Sequence, residues 1–182
     1  MADPDRAQTG LLLEAGDRTL LVDCGAGVLG RLSRTEVGYE GVSTVLLTHH
    51  HLDHVSDLLA LLKARWLAGE EHLEVVGPRG TRRLVSAWLD VFEYLEDRVD
   101  LQVRDVAPGS FDVAGFEVTA RETRHSMEGL AYRIAGETGD FVFSGDTEAF
   151  EELATFAAGT SVLAHDCSFP DDVDVDNHPT PT

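Results

Sequence analysis

Seven consecutive residues constrain this chain more than any other feature. Thr48-His49-His50-His51-Leu52-Asp53-His54 follows directly on the apolar run Thr44–Leu47 and precedes a helical pattern that starts at Val55. A short apolar run bounded by polar residues predicts a buried strand, so the histidines occupy a strand end and the turn into a helix. Imidazole nitrogen and carboxylate oxygen are the ligand set suited to zinc, manganese or iron. In an extended turn, residues two apart face the same way, so His49 and His51 can grip one ion. Asp53 and His54, at the mouth of the helix, can reach a second ion beside it. The bland alternative is a chance histidine run on a solvated loop. Three histidines and one aspartate at this spacing would arise by accident roughly once in several hundred chains of this composition.

The surrounding pattern is that of a layered α/β or α+β domain. Strands are expected near Leu11–Leu13, Thr19–Val22, Thr44–Leu47, Leu73–Val76, Leu101–Val103, Phe116–Ala120, Leu130–Ile134, Phe141–Phe143 and Ser161–Leu163. Helices are expected over Val55–Leu67, Thr81–Leu95 and Glu148–Ala158. In the second, Leu84, Trp88, Leu89, Phe92 and Leu95 form a stripe that reads as core packing. No repeat or Pro/Gly/Ser linker divides the chain, and 182 residues suit one domain, 1–182. The longest apolar runs, such as Leu58–Leu62, are far short of a bilayer span. The acidic start Met1-Ala-Asp-Pro-Asp-Arg argues against a secretory signal. Cys24 and Cys167 are too few for a disulfide framework or a four-thiolate metal site, so a reducing cytoplasm is the expected location.

Charge adds a second constraint. Fourteen Lys and Arg stand against 33 Asp and Glu, a net charge of −19, and Lys63 is the sole lysine. Such a composition resembles halophilic, haloarchaeal-type proteins, in which strong salt screens self-repulsion. A merely acidic protein is the alternative. The excess also disfavours simple electrostatic capture of nucleic acid, which uses a basic stripe.

His49-x-His51-x-Asp53-His54 after a hydrophobic strand resembles the signature of the metallo-β-lactamase superfamily. Other segments follow in the family's order. Leu20-Leu21-Val22-Asp23-Cys24-Gly25-Ala26-Gly27 resembles its early strand ending in Asp-x-Gly, and Arg124-His125-Ser126 resembles the segment with a third histidine. Phe143-Ser144-Gly145-Asp146-Thr147 resembles the Ser-Gly-Asp-Thr segment whose aspartate bridges two metals. The combination is most similar to the ribonuclease Z, arylsulfatase and phosphodiesterase branch.

The resemblance implies an αβ/βα sandwich and two divalent ions, zinc first, with manganese or iron as alternatives. It implies that His49, His51 and His125 bind one ion, Asp53 and His54 the other, and Asp146 both. It also implies a hydrolase of phosphodiester or related ester bonds that attacks with a metal-bridging hydroxide, Asp53 helping to position or deprotonate the water. Asp23 is either a residue orienting a ligand imidazole from behind or a strand-end turn residue; His165 is assigned a similar supporting place. His165-Asp166-Cys167-Ser168 resembles the family's His-Glu-Ala-Thr segment, and Asn177-His178-Pro179-Thr180 its later His-Ser-Thr segment. An Asp166–His178 pair would then supply the leaving-group proton. His50 and His72 match no motif position and are expected to be solvated surface residues.

Three departures from the family pattern accompany the likeness. The opening strand and Gly-rich turn ahead of the segment matching Pro4-Asp5-Arg6 are absent. The chain ends at Thr182, before a further metal-binding histidine, which leaves the sandwich incomplete at both edges unless His178 replaces that ligand. Only residues 126–145 separate His125 from Asp146, too few for the tRNA-gripping arm of ribonuclease Z and enough for two strands and a turn. The expected substrate is accordingly a small-molecule or nucleotide ester, with a homodimer as an option and no membrane partner. A tRNA 3′-processing endonuclease lacking the arm, and a catalytically weak metal-binding or redox relative, are the alternatives.

Overall fold

The computed structural model describes residues 5–168 and His178. Pro4, and the residues Asn177, Pro179 and Thr180 of the segment around His178, lie outside the described residues. The chain forms two compact units, Met1–Val106 and Ala107–Thr182, each built on one five-stranded sheet.

The first unit opens with the hairpin β1 (Leu11–Ala15) and β2 (Arg18–Val22), in which Ala15 pairs with Arg18 across a two-residue turn. Gly16 takes φ 62°, the left-handed conformation that such a tight turn needs. From β2 onward the sheet is parallel, through β3 (Thr44–Leu46), β4 (His72–Gly77) and β5 (Asp100–Asp105). Parallel neighbours need crossovers, and helices supply them. These are α1 (Val28–Leu32), then α2 (Leu52–Val55) with α3 (Leu58–Ala68), then α4 (Thr81–Val91) with a 3-10 segment, Glu93–Arg98. Every residue of β3 is buried, as expected for the middle of a covered parallel sheet. Leu21, Val45, Leu47, Val75, Leu61 and Leu73 make the core, each worth about 1.5–3 kcal/mol on burial.

In the second unit β6 (Gly109–Val113), β7 (Phe116–Glu122), β8 (Leu130–Ile134) and β9 (Phe141–Phe143) form an antiparallel meander. The helix α5 (Glu151–Ala157) then carries the chain to β10 (Val162–Ala164), parallel to β9. The β6–β7 turn places Ala114 at φ 49° and Gly115 at φ 74°, the double left-handed geometry of a two-residue hairpin loop. Arg133 caps the end of α5 by donating to the carbonyls of Phe156 and Ala158, both at 3.0 Å.

The mixed α/β class agrees with the expectation, and several boundaries differ. The expected helix Val55–Leu67 is two helices, because Asp57 is drawn out of register. Its backbone N–H donates to Cys24 O at 2.9 Å, and its carboxylate accepts from Leu29 N–H at 3.0 Å. The expected helix Thr81–Leu95 ends at Val91; Phe92 takes a non-helical conformation and is exposed, while Leu95 is buried from the 3-10 segment. The last helix starts at Glu151 rather than Glu148, because Glu148 N–H bonds back to Arg124 O at 2.9 Å. The strand β6 and the helix α1 are additions to the expected set. Among the described residues no helix is long and apolar enough to cross a membrane.

Candidate metal centre

Each unit presents its own group of histidine and carboxylate donors. In the first unit the group is built from behind by Asp23. This residue directly follows β2 and takes φ 60°, a conformation that few residues besides Gly, Asn and Asp adopt. The kink turns its carboxylate onto the next strand end. There it accepts hydrogen bonds from Thr48 N–H at 2.7 Å, Thr48 Oγ1 at 2.8 Å and His54 Nδ1 at 2.7 Å. All three residues are buried, so the carboxylate is satisfied by fixed donors in place of water.

Thr48 is the hub of this arrangement. Its hydroxyl also lies 3.1 Å from His49 Nδ1 and 3.4 Å from His54 Nδ1. With Nδ1 of His49 turned toward Thr48, Nε2 faces the neighbouring ring, and His49 Nε2 and His51 Nδ1 stand 3.0 Å apart. Two nitrogen ligands of a tetrahedral zinc would be separated by about 3.3 Å, so this pair fits one ion. On the other side His54 Nε2 lies 3.9 Å from Asp53 Oδ2 and 3.5 Å from Thr9 Oγ1. The rings of His49 and His54 pack at a 50° tilt with 4.0 Å between centroids. Gly25 permits this packing, because a Cβ there would come within 1.9 Å of the Asp53 carbonyl.

In the second unit a two-bond clasp sets the spacing. Arg124 N–H donates to Thr147 Oγ1 at 2.9 Å, and Glu148 N–H to Arg124 O at 2.9 Å. The residues just inside that clasp, His125 and Asp146, bring Nε2 and Oδ2 to 4.0 Å. His178 packs edge-on against His125 with ring centroids 5.0 Å apart, and its Nδ1 lies 2.6 Å from Asp166 Oδ2. Asp166 is held in turn by its own N–H to Ser144 Oγ at 2.9 Å and by Ser168 Oγ at 2.6 Å. Donor atoms of Asp146, Asp166 and His178 all lie within 4.8 Å of one another.

The structure thus gathers His49, His51, Asp53 and His54 in front of Asp23, and His125, Asp146, Asp166 and His178 in a second group. His165 bonds to the adjacent Asp166 carbonyl at 2.7 Å instead of to a ligand imidazole. His72 is exposed, paired with Asp100 at 2.7 Å. His50 differs from the expected surface residue. It is partly buried, with Nε2 2.8 Å from Thr81 Oγ1 at the start of α4, so it braces the loop. Thr48, Ser144 and Thr147 carry positioning roles that motif reading passed over, although each directly adjoins a motif histidine, glycine or aspartate. Cys24 packs in the hydrophobic core of the first unit, where burial, reinforced by the carboxylates of Asp57 and Asp23, pushes its thiol far above its ordinary value.

Comparison with known proteins adds a family and a set of neighbours. The sequence profile of the beta-lactamase superfamily domain matches residues 18–181. Proteins named Ribonuclease Z are similar along most of the chain: that of Mycobacterium bovis is 34% identical over 181 residues and that of Mycobacterium avium 35%. The alignments cover 90% of this chain, which spans 65% of the length of those relatives. Among solved structures, the metallo-beta-lactamase fold protein YhfI from Bacillus subtilis superimposes with a TM-score of 0.81 at 26% identity, over 98% of this chain and 71% of that one. Human tRNase Z, short form, gives a TM-score of 0.83 at 20% identity, over 98% of this chain and 80% of that one; at that identity the likeness is one of fold.

Proposed function

Since the chain belongs to the metallo-β-lactamase superfamily, we propose that it is a metal-dependent hydrolase of phosphodiester bonds. The observation that carries this reading is the His49–His51 pair, two imidazole nitrogens held 3.0 Å apart by buried neighbours at a spacing that suits one ion. In this reading His49, His51, Asp53 and His54 of the first unit and His125 and Asp146 of the second are the residues that would hold divalent ions. Divalent ions in such a site supply Lewis-acid polarisation of a phosphoryl oxygen and lower the pKa of a water nucleophile.

The protein's own groups do the rest. Asp23 fixes His54 with Nδ1 as its donor, so Nε2 is the atom turned to ligation. The half-exposed carboxylate of Asp53 orients the attacking water and accepts its proton. Asp166 holds Nδ1 of His178, so Nε2 is the atom through which that ring passes a proton to the leaving oxygen. The identity to proteins named Ribonuclease Z favours an RNA phosphodiester over a small nucleotide ester as substrate. Zinc is the first choice of metal, from the histidine-rich donor set.

The test is metal content together with hydrolysis of bis(p-nitrophenyl) phosphate and of a short RNA carrying a 3′ extension. Bound zinc, and turnover lost on chelation and in His51→Ala, are expected. A chain that binds no divalent metal, or hydrolyses as well without it, would overturn the reading.

A further inference from the structure

Three arginines gather on the first unit where the chain as a whole is strongly acidic. Arg6, Arg31 and Arg34, with Ala7, Gly27 and Gly30, line a cleft of about 180 Å³. No carboxylate among the described residues lines it. Among the described residues every ion pair involves other groups, and the polar partner of these guanidinium groups is the backbone carbonyl of Asp5, which accepts from Arg31. In a protein of net charge −19, with fourteen Lys and Arg against 33 Asp and Glu, three exposed guanidinium groups gathered on one cleft form a local basic patch that attracts an anion.

The cleft is also tied to the donor group of the same unit. The segment from Arg6 to Thr9 runs against the turn before α1, with Gln8 N–H to Ala26 O at 2.8 Å and Gly25 N–H to Thr9 O at 2.8 Å. Thr9 N–H then reaches Asp53 O at 3.2 Å, and Thr9 Oγ1 lies 3.5 Å from His54 Nε2. Gly27 makes the turn at φ 89°, and a Cβ on Gly30 would meet nothing within 4 Å, so the floor of the cleft is open to a ligand. Guanidinium forks match phosphate oxygens geometrically.

We propose that the Arg6–Arg31–Arg34 cleft binds backbone phosphates of an RNA substrate on one side of the bond to be cut. The proposal rests on the phosphodiester reading above. It assigns affinity for the polymer to residues that take no part in the chemistry.

The test is fluorescence anisotropy with a 5′-labelled oligoribonucleotide of about 16 nucleotides, in EDTA, over a salt series, for the wild type, R31A/R34A and R31K/R34K. Losing two phosphate contacts on a single strand should reduce the slope of log K against log salt by about 1.4. Affinity at low salt should fall about tenfold or more, with the lysine pair keeping most of it. An unchanged slope and affinity in R31A/R34A, or no RNA binding by the wild type, would overturn the cleft. Hydrolysis of bis(p-nitrophenyl) phosphate by the wild type is measured separately. Salt-sensitive RNA binding through the arginines without any hydrolysis would sink the activity and leave the cleft standing, and the converse result would do the opposite.

Discussion

His54 donates its Nδ1 proton to Oδ2 of Asp23 across 2.7 Å, in surroundings closed to water. One carboxylate thereby sets the tautomer of a histidine 31 positions away and, through Thr48, the placement of His49 as well. Asp23 is thus a residue that orients imidazoles, and its left-handed φ is how a strand end reaches that place.

Asp23→Asn is expected to keep the backbone, because Asn tolerates the same φ, while losing the acceptor charge. Metal affinity should fall about 10–100-fold, as for other groups that hold a ligand histidine. Stability should fall by about 1–3 kcal/mol, from buried donors left without a full partner. Titration calorimetry with zinc and a thermal melt check both figures. Wild-type metal affinity in this variant would contradict the orienting role.

Asp166→Asn and His178→Ala should lower kcat on an RNA phosphodiester by about 10²–10⁴-fold. The loss should be much smaller on bis(p-nitrophenyl) phosphate, because p-nitrophenolate leaves without taking a proton. An equal loss on the two substrates would mean that the Asp166–His178 pair serves metal binding or folding instead of proton donation.

Thiol labelling should separate the cysteines. Cys167 is exposed and should react with iodoacetamide at pH 8, whereas buried Cys24 should react only after denaturation. Its thiol pKa is raised in the folded chain, so its contribution to stability is full below the ordinary value of 9.0 and is lost as pH climbs past it. Cys24→Ala should therefore show a shallower decline of stability above pH 9 than the wild type, as read from urea melts.

Salt should stabilise the fold. At a net charge of −19 the chain repels itself, and molar salt shortens the Debye length to about 3 Å. The melting temperature should rise from low salt to molar potassium chloride. A flat or falling series would remove the likeness to halophilic proteins.

Local pattern revealed most of the elements. The apolar runs at Thr44, Leu73, Phe116 and Leu130 are strands because buried strands need continuous or alternating apolar side chains. Elements that bury little were harder to read. In β6 only Val113 is buried, and α1 buries two residues in a single turn, so neither leaves a periodic signal. The break between α2 and α3 was invisible for a different reason. Asp57 leaves the helix to bond Cys24 and Leu29, partners about thirty residues away that no local window contains.

The donor chemistry was likewise present in the motifs, since histidine and aspartate at strand ends announce themselves by type and spacing. The network that aims them was not. Only folding turned Asp23 inward to Thr48 and His54, drew His50 onto Thr81, clasped Arg124 to Thr147 and collected Arg6, Arg31 and Arg34 on one cleft. By itself the sequence determined which elements form and which residue types stand at their ends, because those follow from side-chain burial and backbone preference over a few neighbours. Tertiary structure decided which nitrogen of each ring is held, which carboxylate is buried behind it and which cations share one cleft. Those depend on atoms brought within about 3 Å of one another from distant parts of the chain, and hydrogen bonds and ion pairs are decided at that range.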